Sequence, residues 1–224
     1  MAAKWFSGYF IQVYFIFFIL LLSHTKFINA KGTRYVTCGS IVKLMNIDHN
    51  VRLHSHDIKY GGGSGQQSVT GTEVKDDGNS YWLVKAETGN HCIRGKPLKC
   101  GDIIRLEHVS TKKNLHSHHV RSPLSGKQEV SAYGNKGEGD SGDHWLVVCE
   151  NEFWERNEPV MLKHIDTDAY LAVSGRTYST PISGQIEVVG DYSVSGSHVQ
   201  WQSVEGLFIH PSDFKSQHHE HTEL

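Results

Sequence analysis

Beyond residue 30 the sequence has no apolar run long enough to cross a bilayer, which takes about 20 residues. It has no Asn-x-Ser/Thr triplet, so N-linked glycosylation is not expected. No Cys-x-x-Cys pair occurs, and the spacing is not a zinc pattern. No block of Lys and Arg stands out, and the net charge is −2 with histidine neutral. A nucleic-acid partner therefore finds no electrostatic footprint. No segment sustains a 3.6-residue apolar period, which argues against amphipathic helices.

The first thirty residues read as a leader. Lys4 precedes a 14-residue run from Tyr9 to Leu22 that is almost all aromatic and aliphatic. Polar Ser23 to Lys26 follow, then Phe27-Ile28-Asn29-Ala30. A basic start, a short apolar core and a small final residue predict a cleaved secretory signal over 1–30. The run is short for a membrane anchor. Cleavage leaves 194 of 224 residues, enough for one soluble domain with a useful core. Loss of Lys4 and Lys26 leaves 20 basic against 24 acidic residues, a net −4.

That route leads through an oxidising compartment. Cys38, Cys92, Cys100 and Cys149 are expected to form at least one disulfide, with three pairings open. At the far end stands His218-His219-Glu220-His221-Thr222-Glu223-Leu224. His221, Thr222, Glu223 and Leu224 resemble the Lys/His-Asp-Glu-Leu retrieval signal of the endoplasmic reticulum, with Thr222 in the aspartate position. Residues 211–224 read as a flexible tail whose histidines gain charge in a more acidic compartment. Signal and tail together predict the lumen of the endoplasmic reticulum.

Between these ends the chain repeats itself. Leu53-His54-Ser55-His56 returns as Leu115-His116-Ser117-His118, and in degenerate form as Leu171-Ala172-Val173-Ser174. Nine residues before each copy lies Leu44, Leu106 or Leu162. After each comes a turn with Ser64-Gly65, Ser125-Gly126 or Ser183-Gly184, then Val69, Val130 or Val188. Trp82, Trp145 and Trp201 close the three units, which recur every 56 to 63 residues. This is a triplication, with repeats at about 35–99, 100–158 and 159–210 inside a domain of 31–210.

Short alternating runs separated by Gly, Asn and Asp turns predict four strands per repeat and an all-β fold. Twelve strands in three like units predict a pseudo-threefold β-trefoil, a six-stranded barrel capped by three hairpins, because closure removes exposed strand edges. A three-bladed propeller is the weaker alternative. The recurring Leu, Val and Trp residues should form its core.

Several strings carry a resemblance: the doubled Leu-His-Ser-His, Ser64-Gly65-Gln66-Gln67-Ser68-Val69-Thr70-Gly71, and Ser122-Pro123-Leu124-Ser125-Gly126 with Gln128-Glu129-Val130-Ser131-Ala132. They are similar to MIR repeats, found in protein O-mannosyltransferases, inositol trisphosphate receptors and ryanodine receptors. Over its length the chain resembles the stromal cell-derived factor 2 family. The resemblance implies a non-catalytic adaptor in protein quality control. It implies partners in a lumenal J-domain co-chaperone, the BiP-type chaperone and misfolded client proteins. A mannose-binding module acting with O-mannosylation is the rival reading, so glycans remain candidate ligands.

The residues themselves offer limited chemistry. On a strand, His54 and His56 share a face, as do His116 and His118. Such pairs can hold a metal or contact a partner, or can simply be hydrogen-bonded strand residues. With the loops near Ser64 and Ser125 they form the candidate contact surface; no metal, cofactor or catalytic residue is expected. Gly139-Asp140-Ser141-Gly142-Asp143 is similar to a serine-protease nucleophile loop, but reads better as a glycine-acid turn. Asp76-Asp77 sits in a turn and gives no glycosidase signal. Gly61 to Gly65 lacks the lysine and helix of a phosphate loop. The Gln-x-Trp pattern of ricin-type lectins is absent, so the tryptophans read as core. Tyr133 and Tyr178 are the loop aromatics a sugar would use.

Overall fold

Four strands recur three times across residues 34–210, the residues described by the computed structural model. The first set is β1 (Ile41–Asn46), β2 (Arg52–Lys59), β3 (Gln67–Thr72) and β4 (Trp82–Ala86). The second is β5 (Ile103–His108), β6 (Asn114–Arg121), β7 (Gln128–Tyr133) and β8 (Trp145–Val148). The third is β9 (Met161–His164), β10 (Tyr170–Thr177), β11 (Ile186–Asp191) and β12 (Trp201–Leu207). Among the described residues the only helical pieces are one-turn 3-10 segments before β4, β8 and β12. None is long and apolar enough to cross a membrane. The leader over 1–30 and the tail residues His221, Thr222, Glu223 and Leu224 lie outside the described residues.

Pairing repeats as the sequence does. In each set the second and third strands form an antiparallel hairpin. Leu53 faces Gly71, Leu115 faces Ala132 and Leu171 faces Gly190. Each hairpin then slips register and resumes at Lys59↔Gln67, Arg121↔Gln128 and Thr177↔Ile186. This continuation carries β2, β6 and β10 beyond their buried residues to Lys59, Arg121 and Thr177. Backbone pairing continues there through exposed side chains.

Between sets the pairing is cyclic. The last strand of each set pairs with the first of the next: β4 with β5, β8 with β9, and β12 with β1. Within sets β1 meets β4 and β5 meets β8; Val160 bridges to Trp201 in the third. The third strands also pair around a ring, β3 with β7, β7 with β11 and β11 with β3.

The expected core is the observed one. Leu44, Leu106, Leu162, Leu53, Leu115, Leu171, Val69, Val130, Val188 and the three closing tryptophans are fully buried in one cluster. Each such side chain contributes roughly 1.5–3 kcal/mol by burial. The indole N–H is the polar cost of a buried tryptophan. Trp82, Trp145 and Trp201 each donate it to the carbonyl of Leu53, Leu115 or Leu171, at 2.9, 3.0 and 2.8 Å. The triplet Leu-Trp contact therefore closes each repeat on itself. Trp154 is a fourth buried indole that the repeat pattern did not reveal.

The disulfides are Cys38–Cys92 and Cys100–Cys149, which selects one of the three open pairings. Each ties the segment before a first strand to the segment after the fourth strand of the same repeat.

Candidate functional site

The 3-10 turns position the polar site. His108 and His164 end the first strands of repeats two and three, and both are fully buried. His108 Nε2 lies 2.9 Å from the Asn79 carbonyl, and His164 Nε2 2.9 Å from the Gly142 carbonyl. A carbonyl only accepts, so each Nε2 carries the proton. Each Nδ1 then accepts from Thr111 or Thr167, both at 2.8 Å. Burial lowers the pKa of both rings below the ordinary histidine value. Asn46, the matching residue of repeat one, donates to the His198 carbonyl at 2.8 Å. Every 3-10 turn is thus pinned by the repeat that follows it around the ring.

On these turns stand carboxylates that meet the His-Ser-His strands. His54 is buried, with Nδ1 2.7 Å from Asp77 Oδ2 and Nε2 3.0 Å from His56 Nδ1. The imidazoles of His54 and His56 meet edge to face, so they share a face as expected. Burial would raise the Asp77 carboxyl, but hydrogen bonds from Ser80 and His54 hold it below the usual carboxylate range. Burial, and then the neighbouring His54, lowers the pKa of His56.

Repeat two varies the scheme. His116 Nδ1 lies 3.0 Å from Asp143 Oδ1 and 3.5 Å from Asp140 Oδ1. Asn114 donates to the other Asp143 oxygen at 2.8 Å. His118 stands edge to face against His116 and reaches Glu129 at 3.4 Å. Gly142 is required here, because any Cβ would strike the His116 ring.

The two histidine pairs are not brought onto one patch. Gln185 of repeat three lies 3.4 Å from His54. Gln66 of repeat one instead borders the pocket that holds His116 and His118. That pocket has a volume of about 300 Å³, and Tyr133, Asp140 and Asp166 also line it.

Ser64 and Ser125 are joints between repeats. The Ser64 hydroxyl and amide both donate to Glu129. Glu187 accepts from the Ser122 and Ser174 hydroxyls and from the amides of Leu124 and Ser125. Burial raises the Glu187 carboxyl, yet these donors outweigh it and the pKa is lowered. Tyr178 is buried against Tyr60, with ring centroids 6.2 Å apart, whereas Tyr133 is 39% exposed. Tyr133 is not a loop residue but the last residue of β7, and of the two aromatics it is the one that faces solvent in a pocket.

The protease-like string separates in space. Ser141 donates to Asp166 at 2.6 Å, while His144 Nε2 lies 2.9 Å from the Thr88 hydroxyl. Asp77, Asp140 and Asp143 read in the sequence only as turn residues. A signal was present: Asp77 and Asp140 both stand five residues before a repeat tryptophan, where repeat three has Gly196. The acid is lost in the same repeat as the histidine.

A family model for the MIR domain matches residues 43–158. Stromal cell-derived factor 2 of Mus musculus is 52% identical over 197 residues, 88% of this chain and 93% of that protein. The crystal structure of the SDF2-like protein from Arabidopsis thaliana is similar at 42% identity and a TM-score of 0.76, covering 79% of this chain and 98% of that one. A chain of the S. cerevisiae protein O-mannosyltransferase Pmt1-Pmt2 complex bound to the sugar donor is 28% identical with a TM-score of 0.69. That match covers 80% of this chain and 27% of the other.

Proposed function

The chain belongs to the stromal cell-derived factor 2 family of MIR-domain proteins, and from that premise we propose that it is a non-catalytic adaptor in protein folding quality control. Family membership fits a role connected with the endoplasmic reticulum. The reading is that the chain works in the lumen, bound to a J-domain co-chaperone and through it to a BiP-type chaperone. There it limits aggregation of non-native clients. The twelve strands are read as a pseudo-threefold β-trefoil, which the cyclic pairing supports. A body closed on itself in this way presents surface without moving parts.

The observation that carries this reading is the extent of the family similarity, which runs through most of the chain. The separate engagements of Ser141 and His144 support binding without turnover. Affinity capture from lumenal extract tests the adaptor role. Recovery of a J-domain protein with the Hsp70-type chaperone is expected, and recovery of neither would overturn it. Retention is read as the work of His221, Thr222, Glu223 and Leu224. Deleting Leu224 should send the protein into the medium, whereas continued retention would count against that assignment.

A second reading has one observation in its favour. The pocket beside Tyr133 combines an exposed ring with Asp140, Asp166 and Gln66, the mixture of stacking face and acceptors that suits a sugar. A glycan array decides it: saturable binding lost in Tyr133→Ala supports a carbohydrate module, and a blank array removes it.

A further inference from the structure

The geometry points to a divalent-cation site of the zinc class, formed by His116 Nδ1 and Asp140, which line the Tyr133 pocket, and by the buried Asp143. The three donor atoms lie within 4.8 Å of one another. The histidine nitrogen is 3.0 Å from Asp143 Oδ1 and 3.5 Å from Asp140 Oδ1. Zinc bonds to nitrogen and oxygen are about 2.0–2.1 Å, so a tetrahedral site sets its donors about 3.3 Å apart. The two separations from the histidine nitrogen bracket that value. Zinc takes an imidazole nitrogen and two carboxylates as ligands, and the two negative charges such a set supplies balance a divalent ion.

Comparison among the repeats supplies an independent argument. One carboxylate is enough to hold a strand histidine, since Asp77 alone does so for His54. Ser80 occupies the position of Asp143 in that repeat. Repeat two adds a second acid at the same ring nitrogen and buries it completely. A hydrogen bond to one histidine needs no second carboxylate, whereas a cation does. Repeat three has Ala172, Gly196 and Val199 at the three positions and no donor side chain among them.

The surroundings fit the assignment. Asn114 holds Asp143 Oδ2 and leaves Oδ1 for the ion, which is the support that metal-bound carboxylates usually have. Gly139 lies against the Asp143 carboxylate where any Cβ would collide with it. His116 and Asp140 line the open pocket, so a fourth position faces solvent. Three protein donors and one open position make a site that takes water or a ligand oxygen. Nitrogen together with carboxylate favours zinc over calcium, which takes six or more oxygens.

The test is a titration of the full chain with Zn²⁺ against a chromophoric chelator. His218, His219 and His221 are glutamine in every sample, because they would bind zinc themselves. One zinc per chain is expected. Its affinity should fall at least about tenfold in His116→Gln and in Asp140→Asn. His54→Gln, the matching change in repeat one, should leave it unchanged. Asp140 has a side chain 56% exposed, so its variant is the one least open to a folding defect. Circular dichroism checks that variant, and the absorption of Co²⁺ in place of zinc reads the coordination directly. Absence of stoichiometric zinc, or equal binding by Asp140→Asn, would overturn the site and leave the trio as a hydrogen-bonded brace. Neither result bears on chaperone capture or the glycan array.

Discussion

Ala172 and Val199 share one buried apolar cluster at the positions where repeat two has His116 and Asp143. The polar pair and the apolar pair fill the same place under the same 3-10 turn. Without Asp143 the buried His116 keeps only the longer Asp140 contact at 3.5 Å, and without His116 the buried Asp143 keeps only Asn114. Repeat three replaces both residues by apolar ones, whereas repeat one keeps a histidine, His54, on Asp77 and has Ser80 at the Asp143 position.

A double-mutant cycle checks that coupling. His116→Ala and Asp143→Val should each destabilise the protein by about 1–3 kcal/mol, since each takes a hydrogen bond from a buried partner. The double variant, which copies repeat three, should cost less than the sum of the two. Urea unfolding reads all three, and strict additivity would deny the coupling.

Stability should fall as the pH drops below the ordinary histidine value of 6.5. His108 and His164, mainly through burial, and His56, through burial and then His54, have folded pKa values below that of the unfolded chain. The unfolded chain therefore binds more protons, and the stability present above pH 6.5 is lost as pH falls through the folded values. His164→Asn introduces the residue type that repeat one carries as Asn46, and it can still donate to the Gly142 carbonyl. It should flatten this part of the pH profile in thermal melts; an unchanged slope would show that His164 contributes nothing to it.

Glu187→Gln should destabilise by about 1.5–3 kcal/mol at neutral pH, the range for hydrogen bonds to charged groups. Its carboxylate accepts from two serine hydroxyls and two backbone amides, and an amide nitrogen would face some of those donors. Because the folded pKa of Glu187 is lowered, its contribution is present above the unfolded value of 4.5. It disappears as pH falls through the folded value. Wild type and variant should therefore converge in strong acid, which chemical unfolding at several pH values will show.

Removing either disulfide as a double alanine variant should cost about 2–4 kcal/mol. The loops closed span 54 and 49 residues, so the two losses should be similar. Peptide mapping of the oxidised protein should recover Cys38 with Cys92 and Cys100 with Cys149. Any crossed pair would contradict the fold.

Much of the architecture was legible because it rests on period-two alternation repeated in register. The Leu, Val and Trp landmarks recur at fixed spacing, and each of these landmarks is buried in all three repeats. Spacing alone determined the twelve strands, the core and the shared face of His54 with His56. What the linear chain could not decide is which repeat completes which. Ser64 reaches Glu129, Gln185 reaches His54, and His164 pins the turn carrying Gly142, all across repeat boundaries. Those contacts are polar, directional and few, so no periodicity announces them. Their partners are chosen only when the ring of strands closes and sets each repeat against its neighbour. Within repeat two it is the fold of the 3-10 turn back onto β6 that brings Asp140 and Asp143 to His116, although in the sequence both acids were only turn residues.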